Sequence, residues 1–174
     1  MSVDDYKFIS ILKRYGIKRI LTSKDIWVSA ILSLIILIVL IHSAEIKLIF
    51  KDIFTTLIAI SAAMVATSMA GLAIVTSMSD ENFIKFLKQG KVGKNSLYIN
   101  ILFPFWYSTV ISGMAIVSDV LTYAAIYEIT GFMQVLYALA GISFFLFFYS
   151  ITIVIGLVGT TLRYGIYRAE FIDI

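Results

Sequence analysis

Four long apolar runs constrain this chain more than any other feature of its sequence. A helix needs about 20 residues to cross the roughly 30 Å hydrocarbon core of a bilayer, and the sequence predicts four such spans, at residues 26–43, 53–78, 97–127 and 132–163. The first is short, and the last two exceed the bilayer thickness at about 1.5 Å per residue. We therefore predict an all-α, polytopic membrane protein in which residues 1–174 form a single domain of four transmembrane helices.

The composition argues against a soluble domain and against an enzyme. Hydrophobic residues make up 60% of the chain and the mean hydropathy is +0.98, whereas soluble domains contain roughly 45 to 50% apolar residues. Cysteine is absent and His42 is the one histidine, which leaves few groups for acid-base, thiol or zinc chemistry. The sequence also lacks the motifs of metalloproteases, serine hydrolases and nucleotide-binding proteins. We expect no enzymatic activity, no metal site and no cofactor.

The positions of the basic residues predict the orientation in the membrane. All but two of the 14 lysines and arginines lie before the first span, between the second and third spans, or at and after the end of the fourth; the exceptions are Lys47 and Lys51. Cytoplasmic segments are enriched in these residues, so we expect a multi-pass protein of the cell membrane with both termini in the cytoplasm. Trp27 and Trp106 fall at the predicted cytoplasmic boundaries, which aromatic rings favour. Because the basic residues flank spans and no recognition motif accompanies them, we expect no direct nucleic-acid binding.

Two cytoplasmic segments have the pattern of short amphipathic helices. Residues 1–25 predict a helix capped by Asp4 or Asp5 that either anchors at the membrane surface or offers a docking surface. Residues 79–96 predict a second helix, capped by Ser79 or Asp80. Its apolar face carries Phe83, Phe86 and Leu87. We expect this second face to lie on the membrane surface or against a partner, such as a soluble cytoplasmic protein.

The second span is rich in small residues. Ala59, Ala63, Thr67 and Gly71 follow one another at four-residue spacing, and helices in lipid associate where small side chains let their backbones approach. Two interpretations are open. The small residues pack inside the four-helix bundle, or they line a subunit interface or a pore.

The third span carries a stripe of polar residues on one helical face. Ser108, Ser112, Asp119 and Thr122 lie on this face at helical spacing, with Ala115 between them. An acidic residue within a span is expensive to bury and often functional. Asp119 is therefore interpreted as a group that handles ions or protons, or as one that forms hydrogen bonds at the helix end or between helices.

Residues 70–92, with the sequence AGLAIVTSMSDENFIKFLKQGKV, resemble the small-residue helix and amphipathic turn of small four-span prokaryotic membrane proteins. These include membrane subunits of anti-phage systems, such as the membrane protein of the Kiwa system and the membrane accessory proteins of CRISPR and cyclic-nucleotide defence modules. The resemblance implies a host-membrane component that forms oligomers, senses or permeabilises the membrane, and acts beside a soluble partner. It assigns no role to an individual residue.

The expected function is accordingly an oligomeric membrane subunit that forms a pore, or that senses or permeabilises the membrane, in an anti-phage defence module. The lipid bilayer and further copies of the chain are its expected partners. One alternative is a passive anchor or scaffold for a soluble protein. Another is a small ion transporter that uses Asp119.

Overall fold

The computed structural model describes residues 22–42, 46–92, 95–128 and 133–172, and these residues are almost entirely helical. The helices are α1 (Lys24–Ile41), α2 (Ile46–Ser77), α3 (Glu81–Gln89), α4 (Leu97–Glu128) and α5 (Met133–Ile172). Between α3 and α4, the two-residue strand β1 (Lys91–Val92) pairs antiparallel with β2 (Asn95–Ser96). Helices α1, α2, α4 and α5 are long and apolar enough to cross a membrane. The expected helical architecture, with four helices long and apolar enough to span a membrane, is thus confirmed. Nearly all of the predicted N-terminal helix within residues 1–25 lies outside the described residues.

Two spans are longer than the hydropathy pattern predicted. Helix α2 begins at Ile46, seven residues before the predicted start, and α5 continues to Ile172, nine residues beyond Arg163. The added turns contain charged residues, which lower the hydropathy of these segments, so the pattern placed them outside the spans. The helix nevertheless continues through them because it keeps their backbone groups hydrogen-bonded. With 40 residues, α5 is about 60 Å long, roughly twice the thickness of the hydrocarbon core.

The bundle consists of three central helices and one peripheral helix. Helices α2, α4 and α5 all pack on one another, whereas α1 packs mainly on α5. The side of α1 that faces α5 carries the small residues Ser29 and Ser33, both buried. The outward side of α1 carries large aliphatic residues, and Ile35, Ile38 and Val39 are each more than half exposed. Such a surface suits contact with lipid.

Two apolar clusters lie toward opposite ends of the bundle. One contains Phe54 of α2 and Phe144 of α5, whose rings stack with centroids 5.4 Å apart. The other contains Phe83 and Leu87 of α3, together with Phe105 of α4. We call the end of the bundle that holds α3 the α3 end; α2 and α5 terminate there and α4 begins there. Polar side chains fill the level between the two clusters.

Candidate functional site

The predicted polar stripe of α4 faces the interior of the bundle. Ser108, Ser112, Asp119 and Thr122 each have a relative exposure of 0%, as does Ala115 between them. Their spacing of three or four residues keeps them on one side of a helix with 3.6 residues per turn. This side of α4 is the one that packs against α2 and α5. The residues that the sequence placed on one face of this helix are thus all buried in the bundle.

Two hydrogen bonds join the stripe to α2. Ser108 and Ser68 share a hydrogen bond of 2.8 Å between their hydroxyl oxygens, and Ser61 Oγ donates to Asp119 Oδ2 at 3.3 Å. Ser61 and Ser68 are themselves fully buried. Lipid provides no hydrophobic drive for helix association, so these bonds and close packing hold α2 on α4.

A third helix completes the site through Ser143 of α5. The hydroxyl of Ser143 shares hydrogen bonds of 2.7 Å with Ser118 and 2.9 Å with Thr122. We use the term polar layer for the eight residues that these contacts and the α4 stripe bring together, namely Ser61, Ser68, Ser108, Ser112, Ser118, Asp119, Thr122 and Ser143. Sequence reasoning missed Ser143, which stands alone before a run of aromatic residues.

Two oxygen atoms of the polar layer have no hydrogen-bond partner among the described residues. They are Oδ1 of Asp119 and Oγ of Ser112, and both are buried. No lysine, arginine or histidine in the described part of the chain forms an ion pair with Asp119. Leaving a buried polar group unpaired costs about 1–3 kcal/mol.

The small-residue row of α2 divides between the outside and the inside of the bundle. Ala59, Ala63 and Thr67 are exposed, whereas Gly71 turns inward, where an added Cβ would lie 2.5 Å from Cε1 of Phe105. The cause is geometric, because a four-residue step advances about 400° around a helix and the row drifts by about 40° at each step. Packing of the whole row inside the bundle, one of the two interpretations above, does not occur.

We use the term outer face of α2 for the exposed small residues that point away from α4 and α5. Ala59, Ala63, Ala66 and Ala70 lie along its centre, with Thr67 beside them. Thr67 directs its hydroxyl to the backbone oxygen of Ala63, at 2.9 Å. The outer face thus presents the methyl groups of alanines, and its polar groups form their hydrogen bonds within α2. The outside of α1, in contrast, presents large aliphatic side chains.

The α3 helix is fixed to the end of α5. Asp80 caps it by accepting a hydrogen bond of 2.7 Å from the backbone N–H of Phe83, and its other oxygen accepts one of 2.9 Å from Arg168. These two interactions, the backbone bond first, hold the pKa of the Asp80 carboxyl below its usual value. The guanidinium of Arg168 also lies over the ring of Phe83, 4.9 Å from its centroid.

The predicted docking residues are mostly used within the chain. Phe83 and Leu87 have relative exposures of 0% and 1%, and Phe86 is partly exposed. Phe83 packs on Tyr164 and Phe171 of α5, with ring centroids 5.6 and 5.3 Å apart. Phe86 also packs on Phe171, with ring centroids 5.5 Å apart. The face expected to meet a membrane or a partner therefore packs on α5 through Phe83 and Phe86, and its third residue, Leu87, is buried.

Comparison with known proteins finds no match, because no protein-family model, no curated protein and no solved structure resembles the chain significantly. The function must therefore be argued from the helices, the polar layer and the outer face of α2.

Proposed function

We propose that the protein is a non-enzymatic membrane subunit that assembles into homo-oligomers through the outer face of α2, and that it forms a pore or otherwise senses or permeabilises the membrane. The observation that carries the proposal is the exposure of Ala59, Ala63 and Thr67 on a membrane-spanning helix. Small side chains let a second helix approach closely, so van der Waals contacts and weak backbone hydrogen bonds can hold two copies together in lipid.

The interior of one copy favours a pore between copies over a pore within one. The level between the apolar clusters is filled by side chains that hydrogen-bond to one another, such as Ser68 with Ser108 and Thr122 with Ser143. Four helices packed in this way enclose no aqueous channel. A passage for water or ions would accordingly be lined by the outsides of several copies.

The orientation and the cellular role are part of the same proposal. The excess of lysine and arginine at the α3 end supports placement of this end in the cytoplasm, with the protein in a prokaryotic inner membrane. The resemblance of residues 70–92 to membrane subunits of anti-phage systems supports a role in defence beside a soluble partner. Phage-plating assays on cells that express the chain with its neighbouring genes would test that role.

Oligomerisation is tested by enlarging the outer face. The Ala63→Leu variant should dissociate the oligomer in mild detergent, because leucine side chains would hold the two backbones apart. The Ala124→Leu variant makes the same substitution at an exposed position of α4 and should leave the oligomer intact. Light scattering coupled to size-exclusion chromatography measures the mass of each species.

Membrane permeabilisation is measured in parallel, by release of a dye from vesicles that contain each variant. The wild type and Ala124→Leu should release dye, and Ala63→Leu should release much less. A wild-type protein that is monomeric at high concentration would contradict the proposal, as would an Ala63→Leu oligomer of unchanged mass.

A specific observation also favours the ion-transport alternative. Oδ1 of Asp119 is buried without a hydrogen-bond partner among the described residues. It lies between α2, α4 and α5, where a proton or cation that crosses the membrane through the bundle would meet it. Replacement of Asp119 by Asn keeps the shape and an acceptor for Ser61 but removes the ionisable group. Ion flux into vesicles should then be lost while the oligomeric mass is retained. The Asp52→Asn variant, at an exposed site of α2, serves as the matched control; equal flux in all three proteins would exclude this role.

A further inference from the structure

An apolar groove lies between α2 and α4 near the α3 end. Its volume is about 480 Å³, which is within the range of roughly 300–1,000 Å³ common for small-molecule sites. The residues that line it are Met69, Leu72, Ala73, Thr76, Tyr98, Ile99, Leu102, Phe103 and Trp106. From Thr76 down to Met69, the groove follows two turns of α2, which is about 10 Å along the helix axis. It opens to the outside of the bundle, where a membrane-spanning helix meets lipid.

The groove ends at a positive charge. Nζ of Lys88 lies over the ring of Tyr98, 5.6 Å from its centroid, and Tyr98 lines the groove. The acidic residues of this region have other partners, since Glu81 pairs with Lys85 at 2.8 Å and Asp80 pairs with Arg168. The mouth of the groove is therefore cationic while its walls are apolar.

We propose that this groove is a binding site for an anionic phospholipid, with one acyl chain between α2 and α4 and the phosphate at Lys88. The apolar walls of the groove match the acyl chain, which lies deeper in the membrane. The cationic mouth at Lys88 matches the phosphate, which lies at the membrane surface. Basic residues beside grooves between spanning helices are a recurrent way to bind anionic headgroups. Tyr98, beside Lys88, adds an aromatic ring of the kind that favours the headgroup region.

The lipid site is distinct from the proposed subunit interface. The groove uses Met69, Leu72 and Thr76 on the side of α2 that faces α4, whereas Ala63 is exposed on the opposite side of this helix. Met69 is about half exposed, and its long side chain forms one wall of the groove, unlike the methyl groups of the outer face. The proposal does not depend on oligomer formation, and the two can be tested separately.

Trp106 provides a direct probe of groove occupancy. The chain has two tryptophans, and the Trp27→Phe variant removes the other one, which is 66% exposed on α1. This variant is reconstituted into phosphatidylcholine vesicles that contain increasing fractions of phosphatidylglycerol or phosphatidylcholine brominated on the acyl chain. Bromine quenches tryptophan on contact, so half-maximal quenching reports the relative affinity. We expect brominated phosphatidylglycerol to quench Trp106 at a lower mole fraction than brominated phosphatidylcholine does.

Three variants in the same background separate headgroup recognition from general contact with lipid. Lys88→Gln should weaken the preference for phosphatidylglycerol by about fivefold, the effect of one lysine near a membrane surface. Lys51→Gln removes an exposed lysine at the other end of α2 and should leave the preference unchanged. Thr76→Phe, at a lining residue away from the outer face, should fill the groove and reduce quenching by both lipids. Equal quenching by the two brominated lipids, or equal preference in the Lys88→Gln and Lys51→Gln variants, would overturn the proposal and show surrounding bulk lipid only.

Discussion

Gly71 is the position where one added methyl group tests the packing of α2 on α4 most directly. A Cβ at this position would lie 2.5 Å from Cε1 and 3.0 Å from Cδ1 of Phe105, whereas carbon atoms in contact are normally about 3.5–4.0 Å apart. The Phe105 ring would have to move by about 1 Å. It is only 2% exposed and is packed in the apolar cluster of the α3 end, so little free space surrounds it.

The Gly71→Ala substitution should therefore destabilise the protein. Overpacking of a filled core costs about 1–3 kcal/mol, which exceeds the gain of up to about 1 kcal/mol from the better helix propensity of alanine. Reversible unfolding in mixed micelles of mild detergent and dodecyl sulfate measures the free energy of unfolding. Gly113→Ala is the matched control, because no atom lies within 4 Å of a Cβ added there.

A second substitution, at Phe105, checks whether the clash with its ring causes the loss of stability. Phe105→Leu removes the ring atoms that meet the new methyl group, so it should restore part of the stability of Gly71→Ala although it is destabilising by itself. Contacting residues show such non-additive effects. The reasoning would be refuted if Gly71→Ala were as stable as Gly113→Ala, or if the effects of the Gly71 and Phe105 substitutions simply added.

The remaining predictions concern two other contacts between helices. Ser68→Val leaves the buried Ser108 hydroxyl without its partner at 2.8 Å and should lower the free energy of unfolding by about 1 kcal/mol, whereas the double replacement of Ser68 and Ser108 by valine should recover most of the loss in the same micelle assay. The pKa of Asp80 is lowered by the Phe83 N–H and by Arg168, so its stabilisation of α3 is present above the usual aspartate pKa and is lost as the pH falls through the lowered value. Protease resistance of the segment around α3, measured between about pH 6 and pH 3, should decrease with acid in the wild type and vary less in Asp80→Asn, which keeps a capping side chain; equal pH profiles would contradict this.

Hydropathy and helical spacing were sufficient to predict the four long apolar helices and the polar residues that share one face of α4. The stripe from Ser108 to Thr122 is polar within an apolar helix, so its inward direction follows from the cost of exposing it to lipid. The residues of α2 gave no comparable signal. Lipid is as apolar as a protein core, so a row of alanines and a row that contains Ser61, Met64 and Ser68 could each have faced inward.

Long-range partners were the part of the site that the sequence did not contain. Ser143 is one hydroxyl beside Phe144 and Phe145, and no periodic pattern marks it. Its role appears only when α5 lies antiparallel to α4 and brings it to Ser118 and Thr122. Likewise, the apolar face of α3 was visible in the sequence, but its cover by Phe171 depends on α5 continuing beyond the predicted span.

The length of α5 has a mechanical consequence. Ser143 lies at the polar layer and Arg168 lies at the contact with α3, 25 residues further along one uninterrupted helix, or roughly 38 Å away. A change of about 10° in the tilt of α5, pivoting at Ser143, would move Arg168 by about 6.5 Å. Long spanning helices adjust their tilt to bilayer thickness. Thinning or thickening of the membrane would change the tilt of α5. Because Arg168 is bonded to Asp80, α3 would then shift relative to the bilayer surface.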